Sequence, residues 1–197
     1  MQAHNKASEW FDGLYEKNKN SQENIPWARQ SVNPLLQTYL DEDIEHSGKA
    51  LVIGCGLGDD AIALEHAGYD VTAIDVSQTA LELARKRFSD SRVKFVKQDI
   101  FEYDEQFDFV FEALTIQSLP IEFREKMIKA VANTVAKDGK LLLVAHQRGD
   151  ILNGPPWPLT KEEVDLFKKE DLTELSHELH TEASNVSNTR FRVLYTK

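Results

Sequence analysis

The sequence predicts an α/β fold: a doubly wound, mostly parallel seven-stranded sheet with helices on both faces and an antiparallel hairpin at the C-terminal end. Three observations predict it. Short apolar runs alternate with helix-period segments from residue 49 to about residue 146. The first apolar run ends in a glycine cluster that opens a helix. Two strand-like runs separated by turn residues close the chain.

The elements follow in order. Lys49 to Ile53 is apolar enough to be buried on both faces, as a central parallel strand must be. Asp60 to Ala67 follows as a helix stopped by Gly68. Asp70 to Ile74 is the second strand. Ser77 then offers a hydroxyl acceptor to the first N–H groups of a helix running to about Phe88, with Leu81 and Ala84 on its apolar face. Val93 to Val96 and Phe107 to Phe111 are the third and fourth strands. Ile121 to Ala136 reads as one long helix, with Met127, Ile128, Val131 and Val135 at helical spacing. Lys137-Asp138-Gly139 reads as a turn, and Lys140 to Ala145 as the fifth strand. A Pro/Gly-rich loop, Gly154 to Pro158, leads to a short helix from Thr160 to Lys169. Leu172 to Leu179 and Arg190 to Tyr195 form the closing hairpin, with Asn185 to Asn188 as its turn.

A chain of 197 residues suits a single domain, residues 1–197, and needs no disulfide to fold. Its one cysteine, Cys55, excludes a disulfide framework and any multi-cysteine zinc site, and no metal is expected. The net charge of −10, from 33 acidic and 23 basic side chains, argues against nucleic acid as a partner. The cluster Arg85-Lys86-Arg87 reads as a complement to its helix dipole. No apolar run reaches a membrane span, and the first residues lack the apolar stretch of a signal peptide. The expectation is therefore a cytoplasmic protein without a membrane partner.

Ligands of such sheets bind beyond the carboxyl ends of the strands, so the chemistry is sought there. After the first strand stands Gly54-Cys55-Gly56-Leu57-Gly58, whose glycines let the backbone turn sharply and a ligand approach closely. A dinucleotide fingerprint would place a third glycine at position 59. Asp59 and Asp60 stand there instead and read as hostile to a pyrophosphate. A donor carrying a sulfonium and an ammonium suits the loop better. Asp75, after the second strand, is placed to accept from ribose hydroxyls. Asp99, after the third, can accept from an exocyclic adenine amine, with Ile100 against the ring. Glu112 follows the fourth strand, where a donor's charged end would meet an acceptor. His146-Gln147-Arg148 follows the fifth.

These residues resemble the class I S-adenosylmethionine-dependent methyltransferases, whose sheet is Rossmann-like. Leu51 to Gly58 looks like the first motif of that family, Asp75 like its ribose-holding acid, Asp99-Ile100 like its adenine-side pair, and Phe107 to Glu112 like its fourth-strand motif. Val52 departs from the pattern, since an acidic residue often stands there. Trp10, Tyr15, Pro26-Trp27 and the Gly154-Pro155-Pro156 loop resemble the thiopurine and thiol methyltransferase branch. The resemblance implies that residues 1–47 are a helical cover over the donor pocket, on a core of residues 48–197. It implies that S-adenosylmethionine binds at Trp27, Gly54, Cys55, Gly56, Gly58, Asp75, Val76, Asp99, Ile100 and Glu112. Leu114, Gln117, Arg148 and Trp157 are expected to shape a small acceptor's pocket, with Arg148 able to orient an anion.

The expected reaction is in-line methyl transfer to a small molecule, a thiol or related soft nucleophile. His146 is the candidate base on position. Three alternatives remain: a non-catalytic donor-binding or regulatory module, a small-molecule N- or O-methyltransferase, and a nicotinamide-dependent oxidoreductase. Base-amine methyltransferases of nucleic acids carry an Asn/Asp-Pro-Pro-Tyr type motif after the fourth strand, where Glu112-Ala113-Leu114-Thr115 stands here.

Overall fold

The computed structural model describes residues 3–42, 45–149, 154–182 and 185–197. The chain divides into two compact units, Met1–Asp99 and Ile100–Lys197.

In the first unit, α1 (Ala3–Lys17) and α2 (Pro34–Leu40) precede two βα repeats and a third strand: β1 (Lys49–Ile53), α3 (Asp59–Ala67), β2 (Asp70–Asp75), α4 (Gln78–Arg87) and β3 (Lys94–Lys97). The strands run parallel in the order β3-β2-β1, with Val52 opposite Ala73 and Ile74 opposite Val96. Ala50 to Ile53 are all buried, as a strand covered on both faces requires. Asn33 caps α2 by accepting from the Leu35 N–H at 3.0 Å, and Pro34 occupies the first turn, where its missing N–H costs nothing. The expected Ser77 cap is present: its hydroxyl accepts from the Ala80 N–H at 3.0 Å.

The second unit holds β4 (Phe107–Ala113), α5 (Arg124–Asn133), β5 (Val135–His146), α6 (Lys161–Val164), β6 (Thr173–Glu182) and β7 (Asn185–Thr196). The order is β4-β5-β7-β6. Strands β4 and β5 are parallel, and β7 is antiparallel to both of its neighbours. Among the described residues the chain therefore has seven strands, mostly parallel and ending in an antiparallel pair, as the sequence predicts.

Four segments differ from expectation. The long helix starts only at Arg124, after a 3-10 turn at Ile121–Phe123, and stops at Asn133. Val135 to Gly139 belong to β5: Val135 sits opposite Phe107, and the Phe107 N–H donates to the Thr134 carbonyl at 2.8 Å. The last residue also pairs here, with Asp138 N donating to the Lys197 carbonyl and Lys197 N to that of Gly139. These partners lie far away in sequence and override the local helical spacing. Asn185 to Asn188 lie within β7, because the β6–β7 ladder runs on past Arg190 to Thr189 and Asn185; the connection between the strands falls outside the described residues. The helix expected from Thr160 to Lys169 is four α-helical residues with a Thr160–Glu163 capping box, followed by a 3-10 segment, Asp165–Glu170. No helix among the described residues is long and apolar enough to cross a membrane.

Candidate active site

In the first unit, the turn from β1 into α3 is left-handed at three alternate residues: Gly54 at φ 64°, Gly56 at 51° and Gly58 at 89°. A Cβ at Gly58 would lie 3.0 Å from the Phe95 ring, and one at Gly56 2.8 Å from the Tyr15 hydroxyl. Both positions thus need glycine for conformation and for space. Asp75 organises this turn. It is 8% exposed, and its two oxygens accept from the Gly56 N–H at 2.9 Å and the Ser77 N–H at 2.8 Å. Burial pushes its carboxyl above the usual range, and these backbone donors oppose the rise. Val76, next along, is 37% exposed, an apolar surface where the sequence reading seats the donor.

Asp59 and Asp60 behave differently from expectation. Asp59 forms a two-pronged ion pair with Arg87 at 2.7 and 2.8 Å, and the same guanidinium reaches the Leu57 carbonyl at 2.7 Å. Asp60 accepts from the Asn33 N–H at 2.6 Å, and burial pushes its pKa up to about 6. Their charge is largely spent on the protein. What makes the loop unsuited to a phosphate is Asp75, a carboxylate already holding the Gly56 N–H that a phosphate oxygen would need. Arg87 is therefore a brace of the glycine loop in addition to a dipole complement.

Helix α1 supplies groups that the sequence marked only as a segment. Asp12 accepts from the Ser77 hydroxyl at 2.7 Å and the Thr79 N–H at 3.0 Å, which seats α1 on the N-terminus of α4 and lowers the Asp12 pKa. Trp27 stacks edge-on with Trp10, Phe11 and Tyr15, and its indole N–H donates to the Tyr15 hydroxyl at 2.7 Å. Tyr15, Ile25, Leu57 and Ala80 form one buried cluster, so the aromatic segment packs directly on the glycine loop. The thiol of Cys55 is raised well above its ordinary pKa by burial and by Asp75, which keeps it protonated. Asp99 is partly buried at the end of the unit, with its carbonyl accepting from the Gln98 amide at 3.1 Å.

In the second unit, Glu112 is fully buried at the end of β4. One oxygen accepts from the N–H groups of Thr115 and Ile116 at 2.7 and 2.9 Å. The other is buried with no hydrogen-bond partner among the described residues. Burial raises its pKa to about 7 against the pull of Arg124. Leu114 adopts φ 67°, a conformation a branched side chain rarely takes, and its N–H is held by the Val144 carbonyl at 2.9 Å. Ile100 is buried at the start of this unit.

Two of the expected acceptor-pocket residues, Gln117 and Arg148, and the candidate base His146 are engaged as braces. Gln117 is buried; its side-chain oxygen accepts from the His146 N–H at 2.8 Å and its carbonyl from the Trp157 N–H at 2.7 Å. Arg148 spends its charge on Glu163 at 2.7 and 2.9 Å and donates to the Pro158 carbonyl, so it is not set to orient an anion. His146 accepts at Nε2 from the Arg190 guanidinium at 3.2 Å, which occupies the lone pair a base needs and places a cation beside it. Trp157 remains half-buried, with its ring against Gly154.

Arg124 was not singled out by the sequence reading, although a cation in the first turn of a helix opposes the dipole and is a signal. It is buried and donates to the carbonyls of Ile116 at 2.9 Å and Trp157 at 2.7 Å, and lies 3.5 Å from Glu163.

Glu112 carries a pH prediction. Its folded pKa near 7 lies above the ordinary 4.5, so the folded chain holds a proton that the unfolded chain has released. Stability is then fullest below about pH 4.5 and falls as the pH rises through 7, by roughly 3 kcal/mol for a shift of this size. Glu112→Gln keeps an acceptor for Thr115 and Ile116 and is expected to flatten this fall. Urea unfolding at pH 5 and pH 8 tests it; an equal fall in both proteins sinks the assignment.

Known proteins identify the family. The family model for thiopurine S-methyltransferase matches residues 15–193. Thiocyanate methyltransferase 1 of Brassica oleracea is 31% identical over 75% of this chain and 64% of its own length. Thiocyanate methyltransferase 1 of Arabidopsis thaliana is 30% identical over 81% of this chain and 76% of its own. Among solved structures, magnesium protoporphyrin IX methyltransferase from Synechocystis with bound S-adenosylhomocysteine superposes with a TM-score of 0.77 at 12% identity, over 98% of this chain and 99% of that one. That likeness shows the Rossmann-like fold. With the glycine loop, Asp75 and the family match taken together, the chain belongs to the thiopurine S-methyltransferase family of class I S-adenosylmethionine-dependent methyltransferases.

Proposed function

We propose that this chain transfers the methyl group of S-adenosylmethionine to a small soft nucleophile, a thiol or a thiol-like anion, by in-line displacement. The observation that carries the choice of acceptor is the engagement of His146 Nε2 by Arg190. An amine or phenol is protonated at neutral pH and needs a base. A thiol of pKa near 8.5 is partly ionised, and a thiocyanate-type anion is fully so. Both need only positioning, which can contribute roughly 7–11 kcal/mol. The thiocyanate methyltransferases to which the chain is similar support the same choice.

Trp27, Gly54, Cys55, Gly56, Gly58, Asp75, Val76, Asp99, Ile100 and Glu112 would hold the donor, which supplies an electrophilic methyl on a sulfonium when bound. In this reading Asp75 has lone pairs left for the ribose hydroxyls after serving Gly56 and Ser77. Val76 gives the adenine an apolar surface, and the Trp27 ring offers a face to the sulfonium, worth on the order of 0.5–2 kcal/mol. Leu114 and Trp157 would touch the acceptor, while Gln117, Arg148 and His146 hold the segments that carry them. Residues 1–47 act as the cover of the donor pocket on a single catalytic domain, and the protein works without a nucleic-acid or membrane partner, in the cytoplasm.

A donor-coupled screen tests the reading by following S-adenosylhomocysteine release over thiols, thiopurines, thiocyanate, halides, amines and phenols at pH 7. Turnover is expected with the sulfur nucleophiles. Turnover with amines alone would overturn the soft acceptor, and donor binding without turnover on any acceptor would favour a binding module.

A further inference from the structure

We infer that strand β6 is a self-association edge, which pairs antiparallel with β6 of a second copy of this chain about a two-fold axis at Leu179. No residue assigned to donor or acceptor lies on this strand. It ends the order β4-β5-β7-β6, and among the described residues it pairs with β7 alone. An edge strand presents a row of backbone N–H and C=O groups to any further strand, and proteins blunt such edges with short strands, lysines or prolines. In the first unit the edge strand β3 is blunted in this way: it has four residues, and Lys94 and Lys97 are exposed. By contrast, β6 has ten residues and neither lysine nor proline, and its Leu175 and Leu179 are 52% and 53% exposed.

The register follows from which residues share a face. Against β7, Glu178 lies opposite Arg192, Leu179 opposite Phe191 and His180 opposite Arg190. Glu178 and His180 therefore share one face, where His180 Nε2 and Glu178 Oε2 lie 2.8 Å apart, and Leu179 stands on the other. Arg192 holds the carboxylate in place by donating to Glu178 Oε1 at 2.9 Å. The ladder is regular from Ser176 to Thr181 and irregular on either side. A two-fold axis at Leu179, normal to the sheet, uses this regular run and keeps each face on its own side. Leu179 then meets Leu179 of the second copy, and Glu178 of each copy meets His180 of the other. An imidazole N–H can donate to a carboxylate in either protonation state, so both Glu–His pairs are attractive. Neighbouring registers fail. An axis at Glu178 sets that carboxylate against itself, and an axis at His180 sets Glu178 against Glu182 of the second copy; like charges directly opposite are destabilising. An axis at His177 draws in Leu175, where the ladder is irregular.

Sedimentation equilibrium of the full chain in physiological salt is expected to show a monomer–dimer equilibrium. Leu179→Lys sets two ammonium groups against each other at the axis and removes the apolar pair, so it is expected to weaken dimerisation roughly ten-fold or more. Cysteine cross-linking reads the register and keeps the test open should the lysine variant fold poorly. Residues facing each other across antiparallel strands have Cα atoms about 4.5–5.5 Å apart, within disulfide reach. Leu179→Cys is expected to give a covalent dimer under mild oxidation. Leu175→Cys is as exposed but lies away from the axis, and is expected to give none above the background of the wild type, whose one cysteine is Cys55. A wild type that stays monomeric at every concentration overturns the inference. So does a dimer that Leu179→Lys leaves intact, or equal cross-linking of the two cysteine variants.

Discussion

Asp75→Ala is expected to reduce S-adenosylmethionine binding at least a hundred-fold. Two losses combine. The carboxylate that would accept from the ribose hydroxyls is gone, and a charged hydrogen bond of that kind contributes about 1.5–3 kcal/mol. The N–H groups of Gly56 and Ser77 also lose their acceptor within a buried turn. Each unsatisfied group costs on the order of 1–3 kcal/mol, so the left-handed turn at Gly56 and the cap of α4 both loosen. Asp75→Asn divides the two effects: its amide oxygen can serve one N–H, while its NH2 meets the other as a mismatch. The expected order of donor affinity is wild type, then Asn, then Ala, with thermal stability falling in the same order. Calorimetric titration and a melting curve on each protein measure both. An Asp75→Ala protein that melts lower but binds the donor within three-fold of the wild type would limit Asp75 to the architecture of the turn.

How far the fold was legible depended on where each element's partners lie. The glycine turn, the Ser77 cap and the alternating buried strands are local patterns, and the structure has them where the residues pointed. The first residues of β5 are not local: Val135 to Gly139 are drawn into a strand by Phe107 and Lys197, which no window around them contains. The site divides in the same way. Backbone conformation at Gly56 and Gly58 follows from residue type. The partner of a charged side chain does not, and it decides the role. Asp59 read as a free carboxylate until Arg87 is seen beside it, Arg148 as a free cation until Glu163 is, and His146 as a free imidazole until Arg190 is. Each charged group whose role changed is paired with a residue at least 15 positions away, across a turn or a strand. Tyr15 was visible only as part of an aromatic segment, because its approach to Gly56 is a contact between residues 41 positions apart.

Arg124→Ala is expected to cost about 3–5 kcal/mol of stability, the range for removing one partner from a buried charge network. The guanidinium is the common partner of three segments: the turn after β4 through the Ile116 carbonyl, the loop before α6 through the Trp157 carbonyl, and α6 itself through Glu163. Its field also lowers Glu112 toward ionisation, so its loss drives the Glu112 pKa above 7 and removes the charge from a buried carboxyl that then has no cation near it. The network resists repair by lysine, because one ammonium cannot reproduce the planar fork that reaches two carbonyls at once. Arg124→Lys should therefore recover only part of the loss, whereas at a site where charge alone mattered it would recover most. Urea unfolding of the wild type and both variants at pH 7 decides this. The companion measurement is donor affinity: among the described residues Arg124 hydrogen-bonds to Ile116 and Trp157, whereas the glycine turn and Asp75 belong to the first unit, so donor binding at that turn should survive in whatever fraction of Arg124→Lys is folded, while the KM for the acceptor rises as Ile116 and Trp157 part. A variant that loses donor and acceptor affinity in equal measure would show that the network supports the fold as a whole and does not shape the acceptor's segments.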